Sequence, residues 1–574
     1  MSPSRGVSRF VLGGLCFSLV ACSSDPPSPA SNNQPTAGTN ASGGSGSTPT
    51  TAGASNGATA GSEQTGGGGA PATGGSTATG GSTDGGSAPV GTSGSTTGGT
   101  APTGTEMTGP EGKVPNSPYT GMENLAKGDW AKGLVSPTMI DKHHIGQSSV
   151  VNGYLVVAGN EEFWIFDVSN PKAPKQLSEM LTPNREPTAG PKAEGEAESH
   201  TVSFSRQGGK LYMVTTGGRG IDTWDITSAT APKHLARVPL AGVAYGDFTD
   251  AVWGVAWQGQ YIYAGSTNNG IDVIDAADPA KPVAVKRVKT SEYGGISAGP
   301  VAAVGNVLVV MTPKESNGGM ATLDISDPVN PKVMDSLSTN TNSYIGEFYR
   351  HYVFMQSNVR AFDVLSNPLN ISGALGHIDT TKSEYMSFSD DYMFLGHVRL
   401  DAGEGPGAAK ISVADPSKMT KVNRIWGRFD PGQLNDDQFT LAIGNLLVMG
   451  DDEAPYKGFV IGVHANAIDS KPPVVDTVIP KNGATGQAVT SRIGISFSDN
   501  IELTTVHPGS FIVRPMGGQP LAGRWGLRAG VVNFDPDEPL KAATTYEVVL
   551  PQGGLKDLVG NGIAQEFKST FTTK

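Results

Sequence analysis

YIYAGSTNNGIDVIDAADPAKPVAVKRV, from Tyr261 to Val288, is the plainest copy of a weak repeat that fills the middle of the chain. Its three apolar runs, Tyr261–Ser266, Ile271–Asp275 and Val283–Val288, are short and rich in Val, Ile and Tyr, as strands are. Asn268-Asn269-Gly270 and Asp278-Pro279 supply the turns between them. Val252–Trp257, joined through Gln258-Gly259, adds a fourth strand in front. Related copies start near Leu155, Leu211, Leu308, Tyr352, Tyr392 and Leu446. An aligned acid, Asp167, Asp225, Asp275, Asp324 and Asp363, recurs at intervals of 58 residues (Asp167 to Asp225) down to 39 (Asp324 to Asp363). That spacing brackets the length of a four-stranded propeller blade. The expected fold is all-β, with a seven-bladed β-propeller over 126–466.

The repeated Asp is expected to close each third strand by accepting a nearby backbone N–H in an Asx-type turn. Ser412 stands at its position in blade six and Val463 in blade seven. Blade seven also lacks a fourth strand before Lys471-Pro472-Pro473. An open blade would leave an unpaired edge, so Asp129–Pro137 is expected to supply the missing strand.

The repeats resemble the LVIVD family of bacterial surface repeats. The stretches that carry the resemblance are Phe163-Trp164-Ile165-Phe166-Asp167-Val168-Ser169-Asn170-Pro171, Ile221-Asp222-Thr223-Trp224-Asp225-Ile226, Ile271-Asp272-Val273-Ile274-Asp275 and Ala321-Thr322-Leu323-Asp324-Ile325-Ser326-Asp327-Pro328. The resemblance implies a propeller at the cell surface and implies no activity.

Residues 472–574 change texture. Alternating runs at Ile493–Phe497, Ser510–Arg514, Val531–Phe534, Thr545–Leu550 and Ser569–Thr572 predict a small β-sandwich. Ile479-Pro480-Lys481-Asn482-Gly483-Ala484, Phe534-Asp535-Pro536, Thr544-Thr545-Tyr546-Glu547-Val548 and Asp557-Leu558-Val559-Gly560-Asn561 resemble the bacterial Ig-like domains of S-layer and other surface proteins. Such a resemblance implies a spacer or an adhesive module.

The N-terminus reads as an address. Arg5 and Arg9 precede an apolar run from Phe10 to Ala21, about half the length that spans a bilayer. Leu19-Val20-Ala21-Cys22 resembles a bacterial lipobox. The resemblance implies that residues 1–22 are a lipoprotein signal peptide, that Cys22 is acylated, and that the chain is lipid-anchored in the cell envelope. Ser23 follows it, not Asp, which favours the outer membrane and cell surface. Residues 23–115 are Ser/Thr/Gly-rich, expected to be a disordered linker. Such a coil has an r.m.s. span of roughly 50 Å.

The chain has 574 residues, a net charge of −12 and two cysteines, Cys16 and Cys22, both at this end. The folded part therefore has no disulfide and no thiolate metal site. The acidic balance argues against nucleic acid as a partner. No H-E-x-x-H, P-loop or EF-hand pattern occurs, and Gly295-Ile296-Ser297-Ala298-Gly299 leads into a strand, not a helix.

Chemistry is therefore sought where propellers hold ligands, at the face where the inner strands begin. Aligning those strands places Gln147, His200, Trp253, Gly299, Tyr344, Glu384 or Tyr385, and Gln438 in one ring at the channel mouth. Of these, His200, Gln147, Trp253, Tyr344, Tyr385 and Gln438 are the ligand-binding candidates. Acid surrounds them at Glu161, Glu162, Asp250 and Asp451, with His143 and His144 close by. Glu194, Glu196, Glu198, Asp436 and Asp437 form the candidate metal set, whose oxygen ligands would suit calcium. Glu194, Glu196, Glu198 and His200 would share one face of an extended segment. The plainer alternative is that acidic loops keep the molecule soluble and the ring plugs the channel.

The expected function is that of a membrane-anchored, non-enzymatic binding, adhesion or scaffold lipoprotein, with an extracellular protein or glycan as partner. The competing expectation is an exported propeller enzyme, a hydrolase or metal-dependent oxidoreductase, with its site at the channel mouth. Cys22→Ser should move the protein from the membrane pellet to the soluble fraction. Pelleting that persists in high salt would contradict the anchor.

Overall fold

The computed structural model describes Ile140–Asp141 and residues 145–574, apart from 160–161, 182–198, 218, 245–250, 314–317, 340, 344, 357, 381–382, 397–406, 426–437, 452–457, 466 and 468. The expected signal peptide, Cys22, the linker and Asp129–Pro137 lie outside the described residues. Within them the regular elements are β-strands and three single turns of 3-10 helix. No described helix is long and apolar enough to cross a membrane.

Seven four-stranded blades follow one another. Blade three matches its sequence reading closely, with Gly254–Gln258, Tyr261–Gly265, Ile271–Asp275 and Val283–Val288 paired antiparallel in order. The repeated acids make the expected turns. Asp167, Asp225, Asp275 and Asp324 each accept the N–H two residues on, at 2.8–3.1 Å. Asp363 reaches one residue further, to Ser366. The Ser169 backbone N–H and hydroxyl hold the Asp167 carboxyl below its usual range. Inner and second strands join by tight turns that require left-handed backbone, at Asn152-Gly153, Gly259, Gly305 and Gly444 for example.

Blade seven is closed by the N-terminal side of the chain, but not by the segment expected. Ile140–Asp141 pairs with Phe459 and Gly458, completing Phe439–Ile443, Leu446–Asp451 and Gly458–Val463. The closing strand is two residues long and sits just before the first inner strand, Ile145–Val151. Short spacing between them suffices, because the fourth strand of one blade and the inner strand of the next meet at the same end of the propeller.

The C-terminal module is a two-sheet sandwich. One sheet is Ala484–Gln487, Phe567–Thr573, Thr545–Leu550 and Ile512–Pro515; the other is Val475–Ile479, Ile493–Phe497, Val531–Pro536 and Gly523–Arg528. The sequence reading missed Val475–Ile479, Ala484–Gln487 and Gly523–Arg528. The last of these matters most, because it pairs antiparallel with Ser203–Gln207, the inner strand of blade two. Blade two and half of the sandwich thus form one eight-stranded sheet. Phe204, Met213 and Trp224 of the propeller pack in one apolar cluster with Ile493, Trp525 and Phe534 of the module. The two parts share a core.

Gly526 permits this approach. A Cβ at that position would lie inside van der Waals contact of the Trp257 carbonyl oxygen. Gly526→Ala should therefore wedge the module from blades two and three and cost about 1–3 kcal/mol, the usual range for overpacking. Urea denaturation of the two proteins checks it; an unchanged midpoint would mean that the inserted strand has slack.

Candidate functional site

Gly523–Arg528 and Val531–Pro536 form a hairpin that points up the channel. Its strand runs antiparallel to Ser203–Gln207, so Arg528 sits deepest, level with the start of the inner strands. The Arg528 guanidinium donates to the Val301 carbonyl, to Gly346 O at 3.0 Å and to Glu347 Oε1 at 3.1 Å. Gln147 Nε2 donates to the same Glu347 oxygen at 3.0 Å, and Gln147 Oε1 accepts the Val202 N–H at 2.7 Å. Blades one, two, four and five are thereby tied to one side chain of the Ig-like module. Burial pushes the Glu347 carboxyl above its usual range, and the Arg528 charge pulls against that rise.

The floor of the channel is closed by further contacts. The Asn152 and Gly153 N–H groups of blade one donate to Glu502 at 2.8 and 3.3 Å. Arg206 of blade two donates to the Thr504 and Val506 carbonyls. Asn533 accepts from Gly305 N and from Gln258, and donates to Ala303 O. His351 of blade five lies 2.6 Å from Asp476. Asn500 donates to Phe388 O of blade six at 3.2 Å.

Above the hairpin, the expected ring is found in part. Tyr385 OH and His200 Nδ1 lie 3.1 Å apart, joining the approaches to blades two and six across the channel. The His200 ring lies 4.1 Å from the Trp253 ring, and Tyr385 stacks on Phe439 at 3.7 Å. His200, Trp253, Tyr385 and Gln438 are each at most 2 % exposed. Gln147 belongs instead to the Glu347–Arg528 network one layer down. Tyr344 and all of Glu194, Glu196, Glu198, Asp436 and Asp437 lie outside the described residues, as do Glu161, Asp250, His143 and His144. Glu162 is described, and it is buried in its strand. A cavity of about 40 Å³ remains in the channel, lined by residues including Gln147, Glu347, Tyr385 and Arg528. That is room for about three waters.

Sequence reasoning missed Arg528, Glu347 and Glu502. Arg528 ends a run, Gly523-Arg524-Trp525-Gly526-Leu527-Arg528, whose glycines and arginines break the apolar alternation of a sandwich strand. Two glycines around Arg524-Trp525 and a second arginine at the end of the run were the available sign of a strand shaped for another surface.

Comparison with known sequences agrees with both parts. The LVIVD repeat family matches residues 147–182 and 251–290, and the bacterial Ig-like domain family Big_5 matches residues 469–573. The chain carries LVIVD repeats within its propeller and a bacterial Ig-like domain at the C-terminal end. No curated protein matches the sequence. Similar solved structures include the RRP9 WD40 repeats, at 12 % identity over 57 % of this chain and 96 % of that one, with a TM-score of 0.38. A computationally designed protein, Ika8, matches at 10 % identity over 58 % of this chain and 99 % of its own, with a TM-score of 0.36. A functionally unknown protein from Desulfotomaculum acetoxidans DSM 771 matches at 13 % identity over 50 % of this chain and 87 % of its own, with a TM-score of 0.36. At these scores no property of those proteins transfers to the LVIVD propeller.

The Arg528–Glu347 pair has a sharp consequence. Arg528→Met would leave the Glu347 carboxylate buried beside Gln147 without its cation, a loss of about 3–5 kcal/mol. Adding Glu347→Gln should restore most of it. The single variant should also regain stability as the pH falls, because Glu347 can then bury as the neutral acid. Thermal unfolding of the two variants and the parent across pH checks both statements.

Proposed function

We propose that this LVIVD propeller is a lipid-anchored, non-enzymatic binding or adhesion platform at the cell surface, engaging its partner with the loops of the top face. The repeat and the Ig-like module together mark a surface or extracellular propeller protein. The observation that carries the finer reading is the filled channel. Arg528 occupies it from below, and His200 and Tyr385 cross it above. A partner that meets this molecule from the top meets the loop rim rather than an open axial pocket. Extended contact over several loops is how a rigid platform recognises a protein or a glycan.

Chain direction adds support. Third strands run away from the top face, and Ile140–Asp141 is antiparallel to one of them. The chain therefore enters the propeller heading from the Ig-like side toward the top. An anchor at Cys22 would fit a top face turned outward. Attachment to the outer membrane by acyl chains on Cys22 would be strong enough to hold it there.

The test uses a variant with Glu194, Glu196, Glu198, Asp436 and Asp437 changed to their amides. Parent and variant are applied to a panel of immobilised polysaccharides and extracellular matrix proteins, with and without calcium. Saturable binding by the parent that the variant loses, at unchanged melting temperature, is the expected outcome. Binding that survives all five substitutions would move the site off this rim. Hydrolysis of chromogenic esters or phosphates that His200→Ala abolishes would replace the binding reading with the enzymatic one.

A further inference from the structure

The seam between blade six and the Ig-like module gathers carboxylates faster than cations. Asp390 and Asp391 come from the turn after the inner strand Met386–Ser389, Asp469 from the connecting segment, and Asp499 and Asp557 from the module. Oxygens of Asp390, Asp469 and Asp499 all lie within 4.8 Å of one another. Asp499 is 6 % exposed, accepts the Asn500 N–H at 2.7 Å, and takes a bond from Ser389 of the propeller at 3.3 Å. Asp557 accepts from Val559 N and from Asn561, whose side chain also reaches the Asp469 carbonyl.

The facing cations reach the edge of the cluster and not Asp499. Lys471 Nζ lies 3.5 Å from Asp390 and 3.9 Å from Asp391, and Arg350 pairs with Asp391 at 3.0 Å. Lys410, on Ala408–Ser412 of blade six, is buried over the Tyr392 ring and 3.4 Å from His464 Nδ1 of blade seven. Burial lowers the Lys410 pKa to about 8, and burial with the Lys410 charge lowers that of His464 to about 3, so the imidazole adds no charge. Among the described residues no cation contacts Asp499. Three carboxylates this close, with Asp499 buried, repel one another when ionised, and a proton taken up by the buried one relieves that repulsion.

We propose that the seam is a proton-linked clamp: docking of the Ig-like module keeps a proton between Asp390 and Asp499, with Asp469 packed against them, so acid tightens the joint and rising pH loosens it. Burial pushes Asp499 well above the usual carboxylate range, with the Asp557 and Asp390 charges adding to the rise. Burial raises Asp390 as well, and takes Asp557 to about 6. The docked state then binds more protons than the separated one between the ordinary carboxylate pKa and these raised values. In that window each unit of rising pH weakens docking by up to about tenfold per linked proton. Below it the slope disappears. Glu347 of the propeller and Glu502 of the module, both buried and both raised, add slope of the same sign.

The device is a means of registering the pH around an exported protein in the seating of its channel plug. Hydrogen exchange in the full-length protein reads it, through peptides covering Gly523–Pro536, after correction for intrinsic exchange rates. From about pH 5 to about pH 8 the parent should lose protection there by more than about tenfold. Asp499→Asn, which keeps the shape and needs no proton, should be better protected than the parent at the upper end and should show a shallower slope. Asp469→Asn, outside the sheets, should act in the same direction and stands in if the first variant folds poorly. Parent-like slopes in both variants overturn the proposal. So does protection that calcium raises and EDTA removes in the parent but not in Asp499→Asn, since the cluster would then be closed by a cation.

Discussion

Hydrogen bonding between Gly523–Arg528 and Ser203–Gln207 is the constraint on which the arrangement of this molecule rests. An inner propeller strand borders the channel, and its free edge is an unpaired ladder of N–H and C=O groups. Here that edge is taken by a strand of another module. The pairing fixes the direction of the hairpin, and the direction carries Arg528 to the level of Val301 and Glu347. Once the guanidinium is there, Glu347 and Gln147 have their partners, and a cavity of about 40 Å³ is left beside them. The buried ion pair is not a source of great stability in itself, since desolvation offsets most of the attraction. Its effect is specificity: a module docked in any other register would leave a buried carboxylate unpaired.

The Ig-like module is therefore more than a spacer after the propeller. It caps the bottom turns of several blades through Glu502, Asn533, Asp476 and Asn500. It contributes side chains to the same apolar cluster as blades one and two. Among the described residues, Ile140 and Asp141 close the seven-bladed ring at blade seven. Contacts that run from blade one round to blade six across the floor tie that ring together. Stability of the propeller and seating of the module are one equilibrium for this chain, so a change at the seam between them is felt in the channel.

Much of the site geometry escaped a reading of repeats. The positions of the ring were legible: His200, Trp253 and Tyr385 do meet, because equivalent positions of a propeller converge on its axis. Their consumption by one another was not legible, because a repeat alignment gives angular position and not depth. Gln147 illustrates the difference. It aligns with His200 in sequence, yet it bonds to Glu347 one layer lower. The acidic rim belongs to the loops between strands, whose lengths vary from blade to blade, and no periodicity constrains them.

What the sequence determined by itself was local and repetitive. Short Val/Ile/Tyr runs, turn residues at fixed offsets and, in five blades, an Asp that closes the third strand specify blades one at a time, and seven of them specify a ring. Asp167, Asp225, Asp275 and Asp324 bond as that local chemistry requires. The sandwich was legible for the same reason, strand by strand, wherever alternation marked a strand buried on one face. Tertiary structure alone decided the insertion of Gly523–Arg528, the Arg528–Glu347 pair and the carboxylate cluster at blade six. Each joins propeller residues to residues of the C-terminal module, and each depends on which faces meet after both have formed. A strand whose glycines and arginines are fitted to another domain's backbone carries no periodic signal of its own. Its partner, and not its pattern, makes it a strand.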